Sequence, residues 1–439
     1  MDCLRISGGV PLRGRVTASG SKNAALPIMA ASILAGGPVT LSGVPNLADV
    51  NTLALLLGYL GVEVKRGADG KVRIETVDAT PIKAEYELVR RMRASFCVLG
   101  PLLARRGRGV VSLPGGCKIG TRPVDLHLSG LAALGASIRI EHGYVIAEAK
   151  RLRGAQIDLC GPHGPTVTGT ANVMSAATLA RGKTIITSAA TEPEIVDLGQ
   201  FLIGLGAQIS GLGTSVIEIV GVEQLGATQY TIIPDRIEAG TLLISAAITG
   251  GEVTVSGIVI DHLTAVLHTL AETGCEIGRG DQEITLRATA RPRPVHICAQ
   301  PYPGIPTDLQ AQFMALVSLA NGQSTIRDHV FPERFMQVAE LNRLGARIER
   351  SGSTAIVRGV RRLSGAIVTA CDLRASAALA LAGLAADRET VVRRLHHLDR
   401  GYERLELKLA ALGANVVRQP EAETFEETEH WNVSALPVR

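Results

Sequence analysis

Aromatic residues are scarce in this 439-residue chain, where Phe, Trp and Tyr together make up 3%. Proteins that bind single-stranded nucleic acids stack the bases on aromatic side chains, so the composition argues against that class. The basic residues are scattered, without the run that is typical of a nucleic-acid-binding arm, and the formal net charge is only +4. We therefore expect no nucleic-acid partner. The small positive balance fits anionic substrates and an ordinary solvated surface equally well.

The cysteines are odd in number and widely spaced, and no two of them form a C-x-x-C pair. This pattern argues against both a disulfide framework and a zinc site. We predict that the protein uses no metal and no other cofactor. The cysteines are Cys3, Cys97, Cys117, Cys160, Cys275, Cys298 and Cys371.

Long hydrophobic runs are also missing. The longest apolar stretches are residues 24–35 and 377–386, and each has about half the length that a membrane-spanning helix needs. The first residues, MDCLRISGGV, lack the positive segment followed by an apolar stretch that marks a signal peptide. We expect a cytoplasmic protein without membrane contact.

A glycine recurs after helix-like segments at nearly even intervals. Each copy is followed by a short strand, as in YLGVEVK and RLGARIE. Gly just past a helix is the expected left-handed cap, and helices alternating with β-branched strands predict α/β units. The spacings are 74, 71, 68, 71 and 68 residues. The six glycines are Gly61, Gly135, Gly206, Gly274, Gly345 and Gly413.

Six units of about 70 residues predict an α/β protein with three units in each of two domains, since one core seldom holds a chain of this length. YTIIPDRIEAGT opens the second half near Pro234, much as GSKNAALP opens the first half. We place the first domain at residues 22–233 and the second at residues 1–21 and 234–418, so that the first strand crosses over. Residues 419–439 form an acidic, non-periodic tail whose protein partner is unknown.

Two segments carry basic residues in positions suited to anions. Lys22 and Asn23 follow a Gly/Ser turn at a predicted helix start, where backbone N–H groups favour phosphate; a solvated Lys beside a capping turn would look the same. Cys117 lies in the loop LPGGCKIGTRPVDLH, close to Lys118 and Arg122. Neighbouring cations lower the pKa of a thiol, which makes Cys117 a candidate acid or nucleophile. An incidental Cys in a surface turn is the alternative.

Acidic residues also stand at predicted helix starts. Asp308 follows the Pro/Gly-rich segment PYPGIP, where a carboxylate can act as general base toward a substrate hydroxyl. A simple N-cap for the following helix explains Asp308 equally well. Asp372, Arg374 and Arg400 occupy similar positions, and helix-start ion pairs would account for them too.

Taken together, these segments resemble a known family. GSKNAALP, MRAS, SLPGGCKIGTRPVDLH, AATEPEIVD, PDRIEAGT, PTDLQAQF, DLRASAALALAG and HHLDRGYERLE are similar, in order, to motifs of the bacterial UDP-N-acetylglucosamine enolpyruvyl transferases. The likeness runs from Leu4 to about Arg418, and the Cys-bearing loop is specific to this family. It implies a two-domain inverse α/β barrel of six βαβαββ units, with the active site in the cleft between the domains.

The resemblance also implies a reaction. The enolpyruvyl group of phosphoenolpyruvate passes to the 3-hydroxyl of UDP-N-acetylglucosamine by addition–elimination, with release of phosphate, as the first committed step of peptidoglycan precursor synthesis. Cys117 would protonate C3 and would be the residue that fosfomycin alkylates. Asp308 would be the base for the sugar hydroxyl.

Further roles follow from the same resemblance. Lys22, Arg122 and Arg400 would hold the phosphate and carboxylate groups through charge-assisted hydrogen bonds. Asp372 would assist proton movement or stabilise positive charge at C2. Positions that match nucleotide-sugar or cleft contacts are Asn23, Arg93, Arg122, Pro123, Val124, Asp125, Leu126, Val330 and Arg334, and positions that match partners behind them are Glu192, Asp235 and Arg374.

One loop departs from the family pattern. Residues 164–172 read GPTVTGTAN, without the Lys that some members carry near its start or the acidic residue that others have at Ala171. Two alternative functions stay open. One is transfer to shikimate 3-phosphate, against which the Cys loop and the RPVDL segment argue. The other is a catalytically silent homologue that binds the nucleotide sugar and regulates a partner.

Overall fold

The repeated glycines end helices, as the sequence predicts. A computed structural model describes residues 2–114 and 124–421. All six repeat glycines have positive φ, from 72° at Gly61 to 105° at Gly206. Gly adopts this left-handed conformation at little cost, so each glycine turns the chain from a helix into the next strand.

The described residues contain thirteen α-helices and five short 3-10 helices. The α-helices are α1 (Lys22–Ala31), α2 (Ala48–Tyr59), α3 (Tyr86–Val89), α4 (Leu99–Arg106), α5 (Asp125–Ala133), α6 (Val167–Ala177), α7 (Pro193–Gly204), α8 (Arg236–Thr249), α9 (Thr264–Glu272), α10 (Gln310–Val317), α11 (Gln337–Arg343), α12 (Leu373–Leu384) and α13 (Leu405–Ala411). The 3-10 helices are Ser32–Leu34, Arg93–Val98, Ile260–Leu263, Thr307–Leu309 and Leu395–Arg400. Within the described ranges, none of these helices combines the length and apolarity needed to cross a membrane.

The same residues form 28 strands. Those before Pro234 are β1 (Asp2–Ser7), β2 (Arg13–Thr17), β3 (Val39–Ser42), β4 (Val62–Arg66), β5 (Val72–Thr76), β6 (Lys83–Ala84), β7 (Arg108–Ser112), β8 (Ser137–Glu141), β9 (Tyr144–Glu148), β10 (Gln156–Asp158), β11 (Cys160–Gly161), β12 (Gly164–Pro165), β13 (Lys183–Thr187), β14 (Gln208–Ser210), β15 (Val216–Val220) and β16 (Thr228–Thr231). Those after it are β17 (Glu252–Ser256), β18 (Glu276–Arg279), β19 (Glu283–Arg287), β20 (His296–Ala299), β21 (Gln323–Asp328), β22 (Arg347–Ser351), β23 (Thr354–Arg358), β24 (Leu363–Ser364), β25 (Ile367–Thr369), β26 (Ala386–Asp387), β27 (Glu389–Arg393) and β28 (Asn415–Pro420).

Six four-stranded sheets of one pattern are built from these strands. The outer strand runs parallel to the second, and the second, third and fourth pair antiparallel; thus β20 is parallel to β21, with Ile297 opposite Ile326. The repetition confirms the predicted α/β fold of six units. The sheet orders are β16-β3-β5-β4, β6-β7-β9-β8, β10-β13-β15-β14, β2-β17-β19-β18, β20-β21-β23-β22 and β25-β27-β1-β28, and two short pairs join β11 to β12 and β24 to β26.

Each sheet buries one face against Ala- and Leu-rich helices. In β17, Val253 and Val255 are buried whereas Glu252 points to solvent, which is the two-residue period of a strand covered on one side. Helices α8, α10 and α12, one from each of three units, contact one another in the middle of their core. Their many small side chains let the helix axes approach closely.

The hydrophobic side chains divide into two clusters. The first core is formed by buried residues between Ala24 and Ile232. The second core is formed by Leu4, Ile6, Leu12 and Val16 together with buried residues between Ile237 and Leu412. The N-terminal strands belong to the second core, because β1 lies between β27 and β28 and β2 runs parallel to β17.

The chain crosses between the cores twice, and the two crossing segments pair with each other. The Ser21 N–H donates to the Ile233 carbonyl at 2.7 Å, and the Asp235 N–H donates to the Ser19 carbonyl at 2.8 Å. Gly20 and Pro234 form the bridge between these bonds. The limits proposed at residues 21–22 and 233–234 lie in these crossing segments, whereas the limit proposed at residue 418 lies inside β28, which continues to Pro420 and pairs with β1.

Candidate active site

Helices α1 and α8 both begin where the chain crosses between the cores. The Oδ1 atom of Asp235 accepts from the N–H groups of Ile237 and Glu238 at 2.8 and 3.0 Å, and its Oδ2 accepts from the Lys22 N–H at 3.1 Å. One carboxylate therefore caps two helices from different cores. This fixes Lys22, the first residue of α1, beside Arg236, the first residue of α8.

A cavity of about 260 Å³ lies at these helix starts, with walls from both cores. The first core contributes residues of α1, α6 and α7, and the second contributes the segment around Asp308. Several residues singled out from the sequence come together here. Those that line the cavity are Lys22, Asn23, Glu192, Asp308, Val330 and Arg334.

Asp308 is the centre of a charged cluster in this wall. Its Oδ1 accepts from Arg334 Nη1 at 2.8 Å and its Oδ2 from Arg374 Nη2 at 2.9 Å, while Asn23 donates to Oδ2 from the other core at 3.3 Å. Burial alone would raise the pKa of Asp308, but Arg374, Arg334 and Lys22 hold that pKa well below its usual range. Asp308 is therefore a carboxylate throughout the ordinary pH range.

Asp372 and Arg374 belong to the start of α12. Asp372 Oδ1 accepts from the N–H groups of Arg374 and Ala375 at 2.6 and 2.8 Å, so Asp372 is the N-cap of α12, whereas the sequence offers a helix-start ion pair as the alternative at this position. Its Oδ2 also faces Arg334 Nε at 3.9 Å. The fully buried Arg374 guanidinium lies 5.2 Å from the centre of the Tyr402 ring and donates a hydrogen bond to Asp308.

Lys22 and Arg400 share a carboxylate that sequence reasoning missed. Asp49 Oδ1 accepts from Arg400 Nε at 2.8 Å, and Asp49 Oδ2 lies 3.4 Å from Lys22 Nζ. Burial lowers the pKa of Lys22, as do Arg374 and Arg400, whereas Asp49 and Asp308 raise it. Asp49 lies outside every motif that pointed to chemistry, so only the fold could reveal its position.

A second pair of charges joins the cores on another side of the cavity. Glu194 binds Arg236 through two bonds, Nε to Oε1 at 2.9 Å and Nη2 to Oε2 at 3.1 Å, with both side chains at least nine-tenths buried. The Arg236 guanidinium lies 5.5 Å from the centre of the Tyr302 ring. Glu194 and Arg236 lie in the quoted motifs AATEPEIVD and PDRIEAGT, which is the only sequence signal that they gave.

Glu192, which directly precedes α7, also joins the first core to Tyr302 of the second. The Tyr302 N–H donates to Glu192 Oε1 at 3.4 Å, and Thr191 donates its hydroxyl to the Tyr302 carbonyl at 2.9 Å. Burial raises the pKa of Glu192, which the charge of Glu194 reinforces. Its Oε2 atom is buried without a hydrogen-bond partner among the described residues, which leaves it open to a donor on a ligand.

The remaining predicted residues are placed less centrally. Arg93 begins the 3-10 helix Arg93–Val98, of which Ala94 and Cys97 line the cavity. Val124, Asp125 and Leu126 stand at the start of α5. Cys117, Arg122 and Pro123 lie outside the described residues.

The loop that departs from the family pattern borders the cavity. Thr166 caps α6, and Val167, Thr168 and Ala171 from its first turns line the wall. Ala171 places an uncharged methyl group in this wall. A neighbouring depression of about 470 Å³ shares Gln300 and Pro301 with the cavity and extends along this loop to His163 and Gly164.

Comparison with known proteins defines the class first. The model of the EPSP synthase (3-phosphoshikimate 1-carboxyvinyltransferase) family matches residues 6–409, and the chain belongs to this family of enolpyruvyl transferases. The enolpyruvyl transferase NikO from Streptomyces tendae superposes with a TM-score of 0.86 at 26% identity, over 95% of this chain and 98% of that one. EPSP synthase from Acinetobacter baumannii shares the fold, with a TM-score of 0.75 at 17% identity over 96% of this chain and 100% of its own.

Curated relatives of higher sequence identity carry a more specific enzyme name. The UDP-N-acetylglucosamine 1-carboxyvinyltransferase of Geobacter metallireducens is 52% identical over 421 residues, which cover 96% of this chain and 100% of that protein. The enzyme of the same name from an Anaeromyxobacter species is 54% identical over 423 residues, covering 95% of this chain and 100% of its own. These matches confirm the resemblance that the sequence motifs indicated.

Proposed function

We propose that the chain transfers the enolpyruvyl group of phosphoenolpyruvate to the 3-hydroxyl of UDP-N-acetylglucosamine, with release of phosphate, as the first committed step of peptidoglycan precursor synthesis. The observation that carries the proposal is the cavity between the cores, where Lys22, Asn23 and Asp308 meet. Near-complete coverage at 52% and 54% identity to relatives of that name supports it. We place the reaction in the cytoplasm, as the sequence leads us to expect.

Phosphoenolpyruvate brings a phosphate and a carboxylate, and the site offers cations for both. Lys22 lines the cavity, and Arg400, which does not line it, binds the Asp49 carboxylate that also faces Lys22. Arg122, outside the described residues, is assigned to the same task by its motif. Charge-assisted hydrogen bonds to such anions are stronger than neutral ones.

The chemistry is an addition followed by an elimination. The sugar 3-hydroxyl attacks C2 of phosphoenolpyruvate and gives its proton to Asp308, while Cys117 protonates C3. The tetrahedral ketal then loses phosphate, which takes up the proton held by Asp308, and the Cys117 thiolate takes a proton from C3 as the double bond is restored. Asp372, which faces Arg334, stabilises positive charge at C2 or assists proton movement.

The low pKa of Asp308 shapes its role as base. A carboxylate held by two guanidinium groups is a weak base toward a free hydroxyl. It accepts a hydrogen bond and orients the hydroxyl first, and it takes the proton as the new C–O bond makes that hydroxyl acidic. Asn23, which donates to the same oxygen, helps to fix the direction of approach.

The nucleotide sugar requires a longer site than phosphoenolpyruvate. Residues 124–126 at the start of α5, Arg93 and Val330 are assigned to it, and Pro123 is assigned by its motif. The depression along residues 163–164 offers the additional room. Because Ala171 carries no charge, we expect binding of the nucleotide diphosphate to depend on the other contacts of this site.

Phosphate release by the purified protein tests the proposal. The protein is given phosphoenolpyruvate with UDP-N-acetylglucosamine, with shikimate 3-phosphate, or with neither acceptor. We expect release only with the nucleotide sugar, together with enolpyruvyl-UDP-N-acetylglucosamine detected by mass spectrometry. Release only with shikimate 3-phosphate would overturn the substrate assignment, and saturable nucleotide-sugar binding without release would identify a silent homologue.

A further inference from the structure

Asp49 occupies a position that no motif assigns. It lies in the first turn of α2 in the first core, and only 5% of its side chain is exposed. Its two oxygens face different cations, with Oδ1 2.8 Å from Arg400 Nε and Oδ2 3.4 Å from Lys22 Nζ. Lys22 belongs to the first core, whereas Arg400 ends the 3-10 helix Leu395–Arg400, which packs on the second. One carboxylate thus holds a cation from each core.

The arrangement is not that of an ordinary buried ion pair. Lys22 lines the cavity and Asp49 does not, so the carboxylate supports the ammonium from behind. A buried ion pair is in itself weak evidence for stability, because desolvation offsets the attraction. A carboxylate that aligns two cations beside a cavity instead provides a preorganised site for an anion.

We propose that Asp49 is a positioning residue that holds Lys22 and Arg400 together for the anionic groups of phosphoenolpyruvate. This inference rests on the proposed function and adds a residue to it. Asp49 itself touches no substrate and acts through the two cations. Its contribution therefore belongs to phosphoenolpyruvate binding rather than to the chemical step or to the nucleotide sugar.

The charges around Lys22 give the inference a second consequence. Asp49 and Asp308 face its ammonium group and favour the charged form, while Arg374, Arg400 and burial oppose that form; Asp235 accepts from its backbone N–H. Removing the Asp49 charge lowers the pKa of Lys22 further. Lys22 then loses its proton, and with it phosphate binding, at a lower pH than in the wild type.

Asp49→Asn tests this, because Asn keeps the shape and removes the charge. We expect KM for phosphoenolpyruvate to rise about tenfold or more, the size of effect that follows from losing a charge-assisted hydrogen bond. We expect kcat and KM for UDP-N-acetylglucosamine to change less than about threefold. The alkaline limb of kcat/KM for phosphoenolpyruvate should move to lower pH. An unchanged KM for phosphoenolpyruvate, or an unmoved alkaline limb, would overturn the inference.

Glu406→Gln is the matched control. Glu406 is also a buried carboxylate between two cations, Arg404 at 2.8 Å and Arg418 at 4.0 Å, but it lies away from the cavity. Glu406→Gln should leave kcat, the KM values for both substrates and the alkaline limb unchanged. If it moves them as Asp49→Asn does, the effect is a general loss of structure and the inference is wrong.

Two further measurements keep the inference testable. If Asp49→Asn does not fold, Asp49→Glu keeps the charge but displaces it, so KM for phosphoenolpyruvate should rise while the alkaline limb stays in place. An unaltered KM there would contradict the inference. If the wild type shows no phosphate release, the proposed function fails, but calorimetry with inorganic phosphate still applies. The Kd for inorganic phosphate should rise about tenfold in Asp49→Asn and stay at the wild-type value in Glu406→Gln. The same Kd in the two variants would refute the role of Asp49.

Discussion

At the scale of the residue, Asp308 shows how one side chain serves both binding and structure. Two buried guanidinium groups, Arg334 and Arg374, depend on it for neutralisation. We expect Asp308→Ala to lower kcat by about 10²–10⁴, the range of a lost general base. The free energy of unfolding should also fall by about 3–5 kcal/mol, because charges are left buried and unpaired. Phosphate release and urea unfolding measure the two effects, and near-normal turnover would refute the assignment as base.

Cys117 lies outside the described residues, and its assigned role depends on its motif. We expect fosfomycin, in the presence of UDP-N-acetylglucosamine, to add covalently to this thiol and raise the intact protein mass. Cys117→Asp keeps an acid in place and should retain turnover while the mass stays constant. Complete loss of turnover in that variant would count against a simple proton-donor role, and an unaltered wild-type mass would contradict the alkylation.

Sequence reasoning found the residues of the site that stand in distinctive motifs. Lys22, Asn23 and Asp308 were predicted because a Gly/Ser turn or a Pro/Gly-rich loop precedes each of them, and all three line the cavity. Asp49 and Arg236 were not predicted. Their importance arises from contacts between the two cores, and no local pattern reports which residues of distant segments will meet.

At the scale of the element, the helix ends were predicted and the strand pairing was not. A Gly after an amphipathic stretch is a local signal, and the backbone at each of the six positions agrees with it. The insertion of β1 between β27 and β28 joins residues almost a whole chain apart, for example Ile6 with Thr390 and Val416. Such non-local pairing depends on the closure of the complete second core.

The left-handed caps can be tested at one glycine with open surroundings. An added Cβ at Gly206 would meet no atom within 4 Å, so only its φ of 105° opposes a side chain. We expect Gly206→Ala to lower the free energy of unfolding by about 1–2 kcal/mol, measured in urea, without a change in KM. Gly58, inside α2, has equally open surroundings without a positive φ. Gly58→Ala should therefore stabilise the protein by about 0.5–1 kcal/mol, and equal effects at both sites would contradict the cap.

At the scale of the whole molecule, the two cores are joined around the cavity by ion pairs and a polar hydrogen bond. Asp49 with Arg400, Asp308 with Asn23, and Glu194 with Arg236 each join side chains from opposite sides. The paired crossing segments are the only covalent links between the two cores within the described ranges. Closure of the cavity is therefore governed by a few polar contacts rather than by a continuous hydrophobic interface.

Glu194→Gln tests this view of closure. It removes the charge that neutralises the buried Arg236 guanidinium, a loss of about 3–5 kcal/mol for a broken buried pair, which favours separation of the cores. Small-angle scattering of the ligand-free variant should show a larger radius of gyration than that of the wild type. Adding both substrates should reduce the difference, because their anionic groups supply new contacts between the cores.

The same scattering experiment separates closure from folding. Glu406→Gln removes a carboxylate that lies wholly within the second core and should leave the wild-type curve unchanged. If Glu194→Gln also gives the wild-type curve, the cores are held closed without this pair, and closure does not depend on it. A larger radius with an unaltered free energy of unfolding, by contrast, would mean that the charge pair opposes opening of the cavity and contributes little to the stability of either core.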